Sequence, residues 1–128
     1  GLRAELQDQM EINASVVRDA AKLERMQSII GDLKERYARI SLQDKGRIHN
    51  SDLTEALELG NLLDEAEGIV SGALARRESR GGHYREDFPD RDDANFLRHT
   101  LVQRVNGCLE ISYKPVSITR FQPQARKY

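Results

Sequence analysis

The sequence predicts a mainly α domain. An antiparallel bundle of three helices (residues 1–80) leads into a charged loop with a short helix (81–98). A small β-hairpin (99–114) and an extended basic tail (115–128) complete a single domain, 1–128. Three observations carry this. Apolar residues recur at three- and four-residue spacing through most of residues 1–77, the period of a helix with one dry face. From Arg76 to Asp93 that pattern stops, and charge of both signs replaces it. Asn106-Gly107 then stands between alternating residues, the strongest short-range signal for a hairpin.

The first helix is read over residues 1–14 from Leu2, Leu6 and Met10, with Ile12 beside them. Ser15, Val16 and Val17 break it. Asp19 is placed to cap a second helix through about Arg39, whose dry side is Leu23, Met26, Ile29, Ile30, Leu33, Tyr37 and Ile40. The charged residues Glu24, Lys34, Glu35, Arg36 and Arg39 read as its solvated side. Ser41–His49 is a connection. Asn50-Ser51-Asp52 is a cap cluster, and Asp52 with Glu55 has capping-box spacing. The third helix is expected from about Ser51 to Arg77 or beyond, burying Leu53, Leu57, Leu63, Ala66, Val70, Ala73 and Leu74. Gly60, Gly68 and Gly72 share one side of it. They mark either a dimerisation surface or a groove where a neighbouring helix comes close, and the second reading suits a chain with no membrane helix. Gly81-Gly82 and Pro89 prevent the helix from continuing, and Asp92-Asp93 cap one turn through Leu97. The two-residue turn pairs Val105 with Cys108, Arg104 with Leu109 and Val102 with Ile111. Val102, Leu109, Ile111 and Tyr113 therefore share a side that must cover something.

Composition excludes several classes. Twenty basic and twenty-one acidic residues leave a net charge of −1, which argues against a nucleic-acid binder. No run approaches a membrane span, and the first twenty residues hold no apolar core of a signal peptide. One cysteine, Cys108, allows no internal disulfide and reads as a buried, inert thiol. No G-x-G-x-x-G, Walker A, G-x-S-x-G or H-E-x-x-H motif occurs. Gly1 in place of Met suggests a fragment. The neutral total conceals a division: Lys114, Arg120, Arg126 and Lys127 make the tail +4, which leaves −5 on residues 1–113. That tail is either an arm for an acidic partner surface or a solvated end.

The candidate site is the segment from Arg76 to Asp93, with five arginines and six carboxylates. Glu78, Arg80, His83, Arg85, Asp87, Arg91, Asp92 and Asp93 are its expected structural or interface residues. At this density of mixed signs the expected arrangement is an internal ion-pair network that fixes the loop. Two chemical readings stand beside it: His83 as a general base, and Glu78, His83 and Asp87 as a metal site. Neither has support beyond residue type. The catalytic, cofactor-binding and metal assignments are therefore none. His49 and His99 are isolated and read as structural.

The residues themselves resemble a known family. Asn50-x-Asp52-Leu53, Glu55-Ala56-Leu57-Glu58-Leu59 and Ala75-Arg76-Arg77-Glu78-Ser79-Arg80-Gly81-Gly82-His83 resemble the C-terminal domain of succinate dehydrogenase and fumarate reductase flavoprotein subunits. The likeness continues through Arg85-x-Asp87-x-Pro89-x-Arg91-Asp92-Asp93-x-Asn95-Phe96-Leu97-x-His99-Thr100-Leu101 to Tyr113-x-Pro115-Val116 and Arg126-Lys127-Tyr128. Gly82 stands where Ala is common in the family. The resemblance implies a parent that interconverts succinate and fumarate on FAD. It would exchange electrons with an iron–sulfur subunit and a membrane quinone, at the cytoplasmic, inner face of a membrane. Flavin and substrate would be held by domains N-terminal to this region, so none of the family's catalytic or flavin-linking residues is carried over. What remains is a structural and docking domain, inactive alone, whose partners are the FAD-binding domain of the same subunit and the iron–sulfur subunit. The alternatives are the C-terminal domain of an L-aspartate oxidase-like flavoenzyme and a free-standing helical interaction module.

Overall fold

The computed structural model describes residues 1–40 and 51–124. Its elements are α1 (Leu2–Ala14), β1 (Val17–Arg18), α2 (Ala20–Tyr37), α3 (Ser51–Ala75), β2 (Tyr84–Arg85), α4 (Asp93–Phe96), β3 (Arg98–Val105) and β4 (Cys108–Pro115). The mainly α architecture expected from the sequence is present.

Cross-helix contacts fix the directions. Arg36 near the end of α2 reaches Glu5 near the start of α1, both nitrogens at 2.8 Å. Lys34 of α2 bridges Asp64 and Glu67 of α3, while Gln27 lies by Ser71. Arg3 of α1 meets Glu58 of α3 at 2.7 Å. Thus α1 and α3 run together and α2 runs against both. The core between them is Leu6, Ala14, Leu23, Met26, Ile30, Leu33, Leu59, Leu63, Ala66, Val70 and Ala73. The expected solvated side of α2 is in part a seam of interhelical bridges, because Lys34 and Arg36 are long enough to reach carboxylates on neighbouring helices.

Helix ends differ slightly from expectation. α2 stops at Tyr37, and the amides of Arg39 and Ile40 bond back three residues to Arg36 and Tyr37. α3 stops at Ala75, two residues before Arg77. Leu53 and Leu57, expected in the core, are exposed, as are Ile12 and Ile40. The Ser41–His49 connection, the cap residue Asn50 and residues 125–128, with Arg126, Lys127 and Tyr128, lie outside the described residues.

The hairpin has the expected register, with Val105 opposite Cys108, Arg104 opposite Leu109 and Val102 opposite Ile111, and it extends one pair further to Arg98 and Pro115. Asn106 and Gly107 both take positive φ (49° and 82°), as a type I′ turn requires. Its covered side lies on α3. Val102 approaches Gly68 and Gly72, while Arg104 reaches Asp64 and Glu67. At Gly68 and Gly72 this side of α3 receives a strand, and at Gly60 it receives Tyr37 of the neighbouring helix α2. A methyl at Gly68 or Gly72 would meet Val102 only at ordinary contact distance, 3.9 and 3.5 Å. Gly60 is the close approach: a Cβ there would lie 2.6 Å from Tyr37 Oη. Cys108, next to the turn, is exposed rather than buried, and His99 points outward from the hairpin.

Candidate functional site

The end of α1, the start of α2 and the end of α3 meet at one end of the bundle, and the loop after α3 closes over them. Two residues of that loop form β2, paired in parallel with β1: Val17 beside Tyr84 and Arg18 beside Arg85. The Glu86 amide extends the ladder with a 2.8 Å bond to the Arg18 carbonyl. Sequence periodicity gives no sign of this pairing, because two-residue strands carry no pattern.

Helix ends explain where the charges go. The last carbonyls of a helix lack partners and carry partial negative charge, and the first amides are the reverse. Arg85 is 1% exposed, and its Nη1 donates to the carbonyls of Ala73 and Leu74 at 3.0 and 3.2 Å. Its other two nitrogens clamp Asp87 at 2.7 and 2.6 Å. Asp87 in turn accepts the Ala20 amide, the first of α2, at 3.1 Å. One bidentate pair thus joins the negative end of α3 to the positive end of α2. The Arg85 bonds hold the Asp87 pKa down at about 2. Arg18 does for α1 what Arg85 does for α3, donating from Nε to the carbonyls of Ala14 and Ser15. Asp19 caps α2 as expected, accepting the Lys22 amide at 2.8 Å.

A second cluster fixes the loop's return. Glu78 is fully buried and accepts from Arg76, from Arg80 at 2.8 and 3.0 Å, and from the Asp92 amide at 2.8 Å. Burial pushes its carboxyl upward, but the bonds from Arg80, Asp92 and Arg76 outweigh this and hold it below the usual range. Arg80 also reaches Asp93, which is shared with Arg91, and Arg91 holds the Gln124 carbonyl at 2.6 Å. Asp92 caps α4 through the Asn95 amide. Arg76, absent from the expected set, is a hub. It bonds Glu78, the carbonyls of Phe96 and Arg98, and Thr100. It thereby ties α3 to the hairpin. Arg98 stacks on Tyr113 with its guanidinium carbon 3.6 Å from the ring centre.

His83 sits between the clusters, with Nε2 3.1 Å from the Arg76 carbonyl and Nδ1 3.0 Å from Arg18 Nη1. Burial lowers its pKa, the bond to the Arg76 carbonyl opposes this, and the charges of Arg18, Arg85 and Arg76 lower it further. The expected residues are thus brought together, but in two arginine-centred groups. Glu78, His83 and Asp87 face different arginines, and the described residues hold no group of three or more His, Cys, Asp or Glu able to bind a metal. A dinucleotide would need a free helix N-terminus for its phosphates. Those of α2 and α4, the two at this end of the fold, already carry Asp19, Asp87 and Asp92.

Around this clasp of arginines and carboxylates, the exposed residues include apolar ones beside charged ones such as Arg77, Glu86 and Asp90. Val16, Val17, Tyr84 and Phe88 ring it, and Ile118 and Phe121 lie on the tail. Lys114 and Arg120, the described cations of the basic tail, are exposed as well.

A family model described as fumarate reductase flavoprotein C-term matches residues 3–128. A fumarate reductase flavoprotein subunit of Haemophilus influenzae is 42% identical over 99% of this chain and 21% of its own length. A succinate dehydrogenase flavoprotein subunit of Rickettsia felis is 46% identical over 92% of this chain and 20% of its own. A solved E. coli quinol fumarate reductase chain superposes with a TM-score of 0.88 at 35% identity, covering 95% of this chain and 22% of that one. An adenylylsulfate reductase from Archaeoglobus fulgidus, 22% identical with a TM-score of 0.82, shares the fold alone. The chain spans about a fifth of the length of the curated relatives it matches.

Proposed function

The chain belongs to the fumarate reductase flavoprotein C-terminal family, and from that premise we propose that it serves as the structural and docking domain of a flavoprotein subunit. The parent subunit interconverts succinate and fumarate on FAD held by a separate domain. It passes electrons to or from an iron–sulfur subunit at the inner, cytoplasmic face of a membrane. No helix among the described residues is long and apolar enough to cross a membrane. The L-aspartate oxidase reading is not favoured, since the relatives are fumarate reductases and succinate dehydrogenases.

The observation that supports a docking role is the clasp. Its buried charges satisfy one another and three helix ends, so they are spent on geometry rather than held ready for substrate. Such networks specify shape more surely than they add net stability. The residues left facing outward, Val17, Tyr84 and Phe88 among them, supply apolar surface for the flavin domain or the iron–sulfur subunit. The test is Arg85→Ala and Asp92→Ala in a full-length subunit, reading flavin content and association with the iron–sulfur subunit. Loss of either supports the reading; both unchanged would sink it. The isolated chain should purify colourless and show no succinate–dye reductase activity.

A further inference from the structure

His83 has a geometry that only its neutral form can satisfy. Arg18 is a donor at every accessible pH, so the Nδ1 atom 3.0 Å from its Nη1 must carry a lone pair. The ring's proton then lies on Nε2, where it is donated to the Arg76 carbonyl at 3.1 Å. This imidazole links the cap of α1, through Arg18, to the end of α3, through Arg76.

The surroundings offer nothing to a charged ring. The groups that face it are Arg18 from β1, Arg76 from the end of α3 and Arg85 from β2. Arg80 pairs with its backbone on its own turn. The nearby carboxylates are committed: Glu78 to Arg76 and Arg80, Asp87 to Arg85. Among the described residues no carboxylate hydrogen-bonds the ring.

We propose that His83 is an acid-sensitive latch, in which a solvent proton taken up on Nδ1 releases Arg18 and frees the α1–β1 corner from the end of α3, while the Arg85–Asp87 pair keeps α2 and α3 joined. A proton on Nδ1 sets N–H against N–H across 3.0 Å, so the two residues must part. The order of opening follows from the groups involved. Asp87 stays ionised far below the pH at which a histidine charges. His83 has a lowered pKa in the closed form, so the open form binds more protons. The latch is therefore indifferent to pH above about 6.5, and it weakens as pH falls from there through the closed-form value.

Ring-nitrogen NMR and amide hydrogen exchange on the full chain between pH 7.5 and 4.5 test this. At pH 7.5 Nδ1 should be unprotonated and Nε2 protonated. On acidification, the Glu86 amide, bonded to the Arg18 carbonyl, should lose protection severalfold after correction for intrinsic exchange. The Ala20 amide, bonded to Asp87, should keep its protection. His83→Gln, which can accept and donate without titrating, should remove the pH dependence. Three results would each overturn the proposal: Nδ1 protonated at pH 7.5, Glu86 and Ala20 losing protection together, or an unchanged pH response in His83→Gln. If that variant does not fold, the ring protonation state and the Glu86/Ala20 pair decide alone.

Discussion

In the bundle, Leu23, Met26, Leu33 and Val70 are cut off from water, and each is held by many neighbours of which none is indispensable. At the clasp, Arg85 and Glu78 are buried as deeply, but each depends on a few named atoms. The first arrangement is tolerant, because hydrophobic burial has no direction. The second is brittle, because a buried charge that loses its partner keeps its desolvation cost. The contrast separates stability, which the bundle supplies, from the placement of helix ends and loop, which the clasp supplies.

The largest expected effect breaks the clasp. Arg85→Ala leaves Asp87 and the α3 carbonyls without their donor, and should lower unfolding free energy by about 3–5 kcal/mol in urea titration. Leu63→Ala in the bundle should cost about 2–5 kcal/mol by cavity formation. Conservative replacement then separates the two modes. Leu63→Met should cost less than about 1.5 kcal/mol, whereas Arg85→Lys, which cannot make the forked contact, should recover little.

Acid provides the next comparison. The Asp87 pKa is lowered in the folded chain, so its contribution is complete above the ordinary value of 3.8. It is lost as pH falls through about 2. Circular dichroism against pH should show Asp87→Asn already weakened at neutral pH and flatter than the parent below pH 4. A parallel profile would show that Asp87 does not report on the clasp.

Smaller effects belong to the glycine side of α3. Gly68→Ala places a methyl in ordinary contact with Val102 and improves helix propensity, so thermal unfolding should show a gain of up to about 1 kcal/mol. Gly60→Ala should instead destabilise, because Tyr37 must move away. The smallest effect on the isolated chain should come from Val17→Asp with Tyr84→Asp on exposed residues, within about 0.5 kcal/mol per site. In a full-length subunit the same pair should weaken docking, measured as faster limited proteolysis at the loop.

Local signals read well from the sequence. Asp19, Asp92 and Asn106-Gly107 act within four residues of themselves, and each appears where its chemistry places it. The expectation that the Arg76–Asp93 segment is an internal ion-pair network also matches the geometry. What failed was pairing at a distance. The bond of Arg18 to His83 and those of Arg76 to Phe96, Arg98 and Thr100 are not legible, because nothing near either arginine in sequence names these distant partners. Periodicity places Leu53 and Leu57 in the core, yet both are exposed, because a period gives a stripe and not what covers it. Residue type predicts a buried Cys108, yet a position beside a two-residue turn projects into solvent.

The sequence by itself determined the three helices, the hairpin with its register, and the family, because these depend on short-range periodicity, turn chemistry and a specific string of residues. Only the tertiary structure decided which arginine serves which helix end, that Val17-Arg18 pairs with Tyr84-Arg85, and that His83 is set between Arg18 and the Arg76 carbonyl. The physical reason is range. A cap or a turn is satisfied by its own neighbours, whereas a buried charge accepts any opposite charge that the fold brings within about 3 Å.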